Sequence, residues 1–221
     1  TKLKTIVLPE GLTEIGDRAF TNCDALEELT LPASLKTLGY HPFSSCTAIT
    51  KLSVASGNSA FRAENNCLIS LSDNRLLLGA ANAGRIPDGV KIIDDESFVG
   101  IEQLEKIIIS SSVETIGAGA FMNCKSLKDV TFEAQSKILN IENNAISSCH
   151  ALSEIAIPAS VKSILDSFTN CQSLKTLKFE GTIAEFSAAT GGNVKLPFED
   201  PLYPGQVSCT VICSDGSYPP N

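Results

Sequence analysis

The strongest constraint on this chain is its self-similarity. A unit of the form L-x-x-I-x-L-P-x-S-V-x-x-I-G-x-x-A-F-x-N-C recurs along most of its 221 residues. The clearest copy runs from Leu26 through Leu29, Leu31, Pro32, Leu35, Leu38 and Gly39 to Phe43 and Cys46. Other copies start at Leu3, Ile49, Leu104, Leu127, Leu152 and Leu174, and a further one, Ile86-Pro87-Asp88-Gly89-Val90, rejoins the pattern after an insertion. One unit of this size cannot bury both of its faces alone. Stacking units side by side gives a continuous core, so the chain must fold as an array.

Each part of the unit has a physical role. Leu29 and Leu31, or Ile155 and Ile157, alternate as on a half-buried strand. Pro9, Pro32, Pro87 and Pro158 end that strand, because proline has no N–H to give a ladder. A second short extended piece follows, such as Val113-Glu114-Thr115-Ile116, and Gly16, Gly39 or Gly117 is expected to turn the chain through its conformational freedom. Ala19-Phe20 or Ala120-Phe121 then opens a short helical turn with its apolar side inward. Asn22, Gly100, Asn123 and Asn170 precede the last slot of the unit and tolerate the left-handed backbone of a helix exit.

Eight cysteines would permit four disulfides. Five of them, Cys23, Cys46, Cys124, Cys149 and Cys171, instead occupy one slot of the repeat, each three residues after a large apolar residue and three before another. In the copy Phe98 to Leu104 that slot holds Ile101, so it is an apolar core position, where a free thiol packs as a small hydrophobe. Neighbouring slots at strand spacing of about 4.8 Å would still be near enough to bridge. Buried free thiols are the expectation. Cys67 lies outside this series, and Cys209 and Cys213, four apart on an expected strand, are too far apart to bridge each other.

The pattern resembles the BspA-type leucine-rich-repeat family of bacterial surface proteins over roughly residues 1–180. The resemblance implies a right-handed leucine-rich-repeat solenoid, strand-rich with short helical turns, whose strand ladder lies on a concave side. The outward residues of that ladder then form two rows. One holds Val7, Thr30, Ser53, Ile108, Thr131, Ala156 and Lys178, and the other Thr5, Glu28, Lys51, Lys106, Asp129, Glu154 and Thr176. Neither row contains an aromatic, which argues against a sugar-stacking platform. The candidate binding residues are Glu28, Thr30, Lys51, Ser53, Lys106, Ile108, Asp129, Thr131, Glu154 and Lys178. The resemblance implies a cell-surface or extracellular adhesion protein that binds a host or bacterial surface protein. A structural spacer that presents another domain is the alternative, and an unrecognised hydrolase a third reading.

The period breaks between residues 55 and 85. There Cys67 to Leu71 and Arg75 to Leu78 flank Ser72-Asp73-Asn74, which predicts a hairpin inside an enlarged repeat. Leu3, Ile6 and Leu8 match Leu26, Leu29 and Leu31, so the pattern is already under way at residue 1. A processing boundary with more protein upstream is expected there. Residues 181–221 are expected to form a C-terminal cap and tail. Thr182-Ile183-Ala184-Glu185 opens a short helix through about Ala189, glycines and prolines from 191 to 205 mark loop, Val207 to Cys213 makes a last strand, and a loose tail follows Asp215-Gly216.

Chemistry is sparse. Lys and Arg total 17 against 25 Asp and Glu, for a formal charge of −8. Such a chain repels phosphate backbones and anionic lipid, so neither nucleic acid nor a membrane surface is an expected partner. No apolar run reaches the roughly 18 residues of a membrane span, and residues 1–20 carry no signal-peptide pattern. His41 and His150 both sit at expected exposed turns in different repeats. The motifs G-x-S-x-G, H-E-x-x-H, a Walker loop and G-x-G-x-x-G are missing. Cys149-His150 lacks the further ligands of a metal site, and Asp94-Asp95-Glu96 is expected to be a solvated turn rather than a calcium loop. No cofactor or metal is expected, and no catalytic residue is assigned.

Overall fold

In the computed structural model the chain is described over residues 2–192 and 209–218. Its elements, in chain order, alternate between long and short strands. They begin with β1 (Glu14–Ile15), β2 (Glu28–Leu31), β3 (Thr37–Leu38) and β4 (Lys51–Val54). The interrupted region holds β5 (Phe61–Glu64), β6 (Cys67–Ser70) and β7 (Arg75–Gly79). The array resumes with β8 (Ile92–Ile93), β9 (Lys106–Ile109), β10 (Thr115–Ile116), β11 (Asp129–Phe132) and β12 (Asn140–Ile141). It continues through β13 (Glu154–Ile157), β14 (Ser163–Ile164) and β15 (Thr176–Phe179) to α1 (Ile183–Ala189), β16 (Thr210–Cys213) and β17 (Gly216–Tyr218).

The fold is a leucine-rich-repeat solenoid. Four-residue strands stack in parallel on one side: β2 with β4, β9 with β11, and β13 with β15 and then β16. Two-residue strands stack on another: β1 with β3, and β8, β10, β12 and β14 in series. In β2 and β13 buried and exposed residues alternate, so the leucines and isoleucines point in and Glu28, Thr30, Glu154 and Ala156 point out. Each fully buried Leu or Ile contributes about 1.5–3 kcal/mol. The corner between the two ladders closes with a turn in which the N–H of Leu35, Val90 or Val161 donates to the carbonyl of Pro32, Pro87 or Pro158. The serine of P-x-S ties that corner to the preceding repeat: Gly11 N donates to Ser34 Oγ at 2.9 Å, and Ser34 Oγ donates to Leu12 O at 2.8 Å.

The interruption is built into the short-strand ladder. β5, β6 and β7 form an antiparallel meander, and β7 pairs in parallel with β8. Leu68 faces Leu78 and Ile69 faces Leu76, so Leu77 is an extra residue in β7. That bulge turns Leu76 and Leu78 to opposite sides. Leu76 joins a core that runs on to Cys213, and Leu78 joins a smaller core that starts at Ile15. All four residues of β6 are buried because the strand lies between these two cores.

Several expectations need correction. The short turns at Ala-Phe are single hydrogen-bonded turns, such as Cys124 N to Phe121 O at 3.2 Å, and α1 is the one α-helix among the described residues. Gly39 and Gly117 do not adopt left-handed backbone; they are small because a β-carbon on either would collide with Asp17 or Asp95 of the preceding repeat. Those aspartates cap the next repeat, Asp17 Oδ1 accepting from Tyr40 N at 2.6 Å and Asp95 Oδ1 from Ala118 N at 2.7 Å. The left-handed residues lie elsewhere, including the expected Asn22, Gly100, Asn123 and Asn170 with φ of 59°, 74°, 63° and 57°.

At the C-terminal end, Thr182 and Glu185 form a reciprocal capping box that starts α1. β16 extends the long-strand ladder, and the segment after Asp215 is not a loose tail at first, since β17 folds back antiparallel on β16. The loop expected at 193–205 and the strand start at Val207 lie outside the described residues.

Candidate functional site

The two outward rows come from the alternation of the long strands, and the ladder registers them. Glu28 lies beside Lys51 and Thr30 beside Ser53. Lys106 lies beside Asp129 and Ile108 beside Thr131. Glu154 lies beside Thr176 and Ala156 beside Lys178. Glu28, Thr30, Lys51, Lys106, Asp129, Thr131, Glu154 and Lys178 are exposed, while Ser53 and Ile108 are half-buried. Lys51 Nζ meets Glu28 at 3.1 Å, Lys178 Nζ meets Glu154 at 2.7 Å, and the Thr30 and Ser53 hydroxyls lie 2.7 Å apart. Exposed pairs of this kind contribute at most about 1 kcal/mol each.

The rows are not continuous. β11 and β13 are adjacent but not hydrogen-bonded as strands. They are held at their entry by Ala151 N donating to Lys125 O at 3.1 Å. A cleft of about 400 Å³ opens between them, lined by Asp129, Thr131, Glu133, Glu154, Ala156 and Glu180. Glu133 is tied from one side by Arg85, whose Nη2 lies 2.7 Å away.

A second concavity, of about 240 Å³, sits where the short-strand ladder is interrupted between β3 and the inserted meander. Its floor includes Phe43, Phe61, Leu77 and Leu78. One wall holds His41, Ser44 and Glu96. Glu96 Oε2 accepts from Ser44 Oγ at 2.8 Å and lies 3.2 Å from His41 Nδ1. The other wall holds Arg75 between Asp73 and Asp94, at 3.0 and 2.6 Å. Partial burial works against ionisation of Glu96 and Asp73, but hydrogen bonds from Ser44 and His41, and from Arg75 and Ser70, hold both carboxyls below their usual range.

Sequence reasoning missed this second site. His41 is not exposed: its side chain is only 8% accessible, and its ring stacks on Tyr40 with centroids 3.8 Å apart. Asp94-Asp95-Glu96 is not a solvated turn, since each carboxylate holds a partner and all three residues line the cavity. His150 is half-buried, and its Nε2 has no hydrogen-bond partner among the described residues. One signal could have exposed the site. Arg18, His41, Glu96, Gly119 and Asn144 share a column of the repeat and all have φ between 44° and 60°. Gly and Asn suit that backbone, whereas the others carry a strain of roughly 1 kcal/mol or more.

All eight cysteines are free and buried. The thiols also do something an isoleucine cannot. Cys46, Cys124, Cys149 and Cys171 each donate to the carbonyl at the Phe position of the preceding repeat, at 3.1, 3.2, 3.3 and 3.0 Å. Burial pushes the Cys46, Cys67 and Cys124 thiols up to about 12 and Cys209 to about 11. Contact with Cys171 and burial push Cys149 up as well.

Comparison with known proteins sets this geometry in a family. Residues 1–74 and 81–191 match the BspA type leucine rich repeat region, in 6 copies. No curated protein matches the chain. Among solved structures it is similar to a leucine rich cell surface protein from Faecalibacterium prausnitzii, at 26% identity and a TM-score of 0.62, over 87% of this chain and 64% of that one. It shares its fold with the pneumococcal vaccine antigen PcpA, at 22% identity and a TM-score of 0.63, over 91% of this chain and 54% of that one. The chain therefore spans less than two thirds of the length of either. Six matched copies, a registered strand ladder and the same solenoid in solved relatives lead to one conclusion: this chain belongs to the BspA-type leucine-rich-repeat family.

Proposed function

We propose that this chain is a non-enzymatic, surface-exposed bacterial module that adheres to a protein partner through the outward face of its long strands. The observation that carries this reading is the registered, exposed pair of rows interrupted by the cleft between β11 and β13. A flat row offers little beyond solvated strand surface. A cleft lined by Thr131 and Ala156 together with Lys128, Asp129, Glu133, Glu154 and Glu180 offers a place where a partner side chain can be desolvated. Glu133 is paired with Arg85 and Glu154 with Lys178, so Asp129 and Glu180 are the carboxylates of this lining without a cationic partner among the described residues, and they favour a basic group of that partner. The named cell-surface relative supports the location.

A spacer role is the second reading, and one observation favours it. Glu28 with Lys51 and Glu154 with Lys178 neutralise each other within the rows, as on a surface that meets only water. A solid-phase panel of matrix proteins, mucins, glycans and whole bacteria separates the two. Saturable binding to a protein that survives moderate salt is the outcome expected for adhesion, and silence from a folded sample would favour the spacer.

A further inference from the structure

The cavity at the interruption of the short-strand ladder shares no lining residue with the outward rows. The adhesion reading makes no use of it. Its chemistry is specific. Phe43, Phe61, Leu77 and Leu78 give it an apolar floor. Its charged lining residues are Asp73, Asp94, Asp95 and Glu96 against Lys36 and Arg75, with His41 beside them. Arg75 pairs with Asp73 and Asp94 at once, and the lining as a whole carries four carboxylates against two cations.

The carboxylates also keep acceptors in reserve. Asp94 and Asp95 each use only Oδ1, toward Arg75 and Ala118, and Glu96 uses only Oε2, toward Ser44 and His41. Their other oxygens have no partner among the described residues. Among those residues no group of His, Cys, Asp and Glu is arranged to hold a metal ion. An apolar floor moreover calls for a carbon skeleton above it. His41 and Glu96 hold left-handed backbone at 44° and 54°, in a column where Gly119 and Asn144 fit without strain. The two residues stand in copies separated by the insertion, 55 apart in sequence, and their side chains meet across the stack. Strained, polar and mutually bonded residues around a lined cavity mark a site rather than a packing defect.

We propose that this cavity binds a small organic cation, a primary ammonium or guanidinium on an apolar stem, with the stem on Phe61 and Leu77 and the charge among Asp94, Asp95 and Glu96. Such a group has two sources, a free amine or the lysine or arginine side chain of a docked peptide, and the test separates them.

The test is a titration of the full chain, followed by heteronuclear NMR and calorimetry, with benzylamine, its neutral isostere benzyl alcohol, and a capped tripeptide carrying one arginine. Benzylamine should bind saturably and at least tenfold more tightly than benzyl alcohol, with shifts centred on Leu77 and Glu96. Glu96→Gln should weaken benzylamine at least fivefold, and Leu77→Trp, which fills the cavity, should abolish binding while the chain remains folded. Tighter binding of the tripeptide than of benzylamine assigns the cation to a partner's side chain, and the reverse order assigns it to a free amine. Equal binding of benzylamine and benzyl alcohol, no saturable binding by any probe, or binding indifferent to Leu77→Trp would overturn the proposal.

Discussion

The ring of Phe98 occupies the space that a side chain on Gly79 would need. A β-carbon at Gly79 would fall among the Cε1, Cζ and Cδ1 atoms of Phe98, which is fully buried. Gly79 ends β7, and its N–H donates to Ser97 O at 2.9 Å. This contact welds the inserted meander to the repeat that follows it. Gly79→Ala should therefore destabilise the fold by about 2 kcal/mol or more, the usual scale for overpacking a filled core. Gly84, with nothing within 4 Å of its missing β-carbon and no left-handed backbone, is the control, and Gly84→Ala should change stability by less than about 0.5 kcal/mol. Urea unfolding of both variants checks the pair. Equal effects would contradict the packing account.

The thiol ladder predicts chemical silence. With all eight cysteines buried and several thiols pushed up to about 12, the folded chain at pH 8 should react with a thiol reagent far more slowly than the same chain in denaturant, where all eight titrate. Rapid reaction of several thiols in the folded state would show that the repeats open locally.

The Glu96 clamp predicts acid sensitivity at the junction of the two cores. Its carboxyl is held below the ordinary value of 4.5 in the folded chain, so it contributes stability above that value. The contribution is lost as pH falls through the lower folded value. Thermal unfolding at pH 7 and pH 3 should show a smaller acid loss for Glu96→Gln than for the natural chain. An identical loss would mean that Ser44 and His41 do not hold this group.

Repeat identity, the strand alternation, the left-handed exit at Asn22, Gly100, Asn123 and Asn170 and the capping box were legible in the residues, because each is a local constraint. Leu29 and Leu31 announce a strand wherever they stand, and Asn123 announces a left-handed exit. The role of Gly117 was not legible, since it depends on Asp95 of another repeat. The seam cavity escaped for the same reason. His41 and Glu96 share a column but lie on opposite sides of an insertion, and the residues alone do not show that their two copies stack directly on each other. The outward rows were read from alternation alone, but the cleft between β11 and β13 was not, because neither strand shows in its sequence that the ladder opens there.

The capping box offers a local test of the C-terminal end. Thr182 Oγ1 accepts from Glu185 N at 3.2 Å while Glu185 Oε2 accepts from Thr182 N at 2.9 Å. Thr182→Ala should cost about 1 kcal/mol by equilibrium unfolding, and Thr182→Ser should restore most of it. Full stability in Thr182→Ala would show that α1 is held by Phe186 and Ala189 in the core rather than by its cap.

The central claim is that the outward face of the long strands binds a protein partner. The most direct measurement is the affinity of the chain for the protein it captures from the panel, before and after Thr131→Arg and Ala156→Arg are combined. Both residues are exposed and line the cleft between β11 and β13, so the arginines should fill it without disturbing the core. At least a tenfold loss of affinity with unchanged thermal stability is the expected result. Undiminished binding by a stably folded double variant would contradict it.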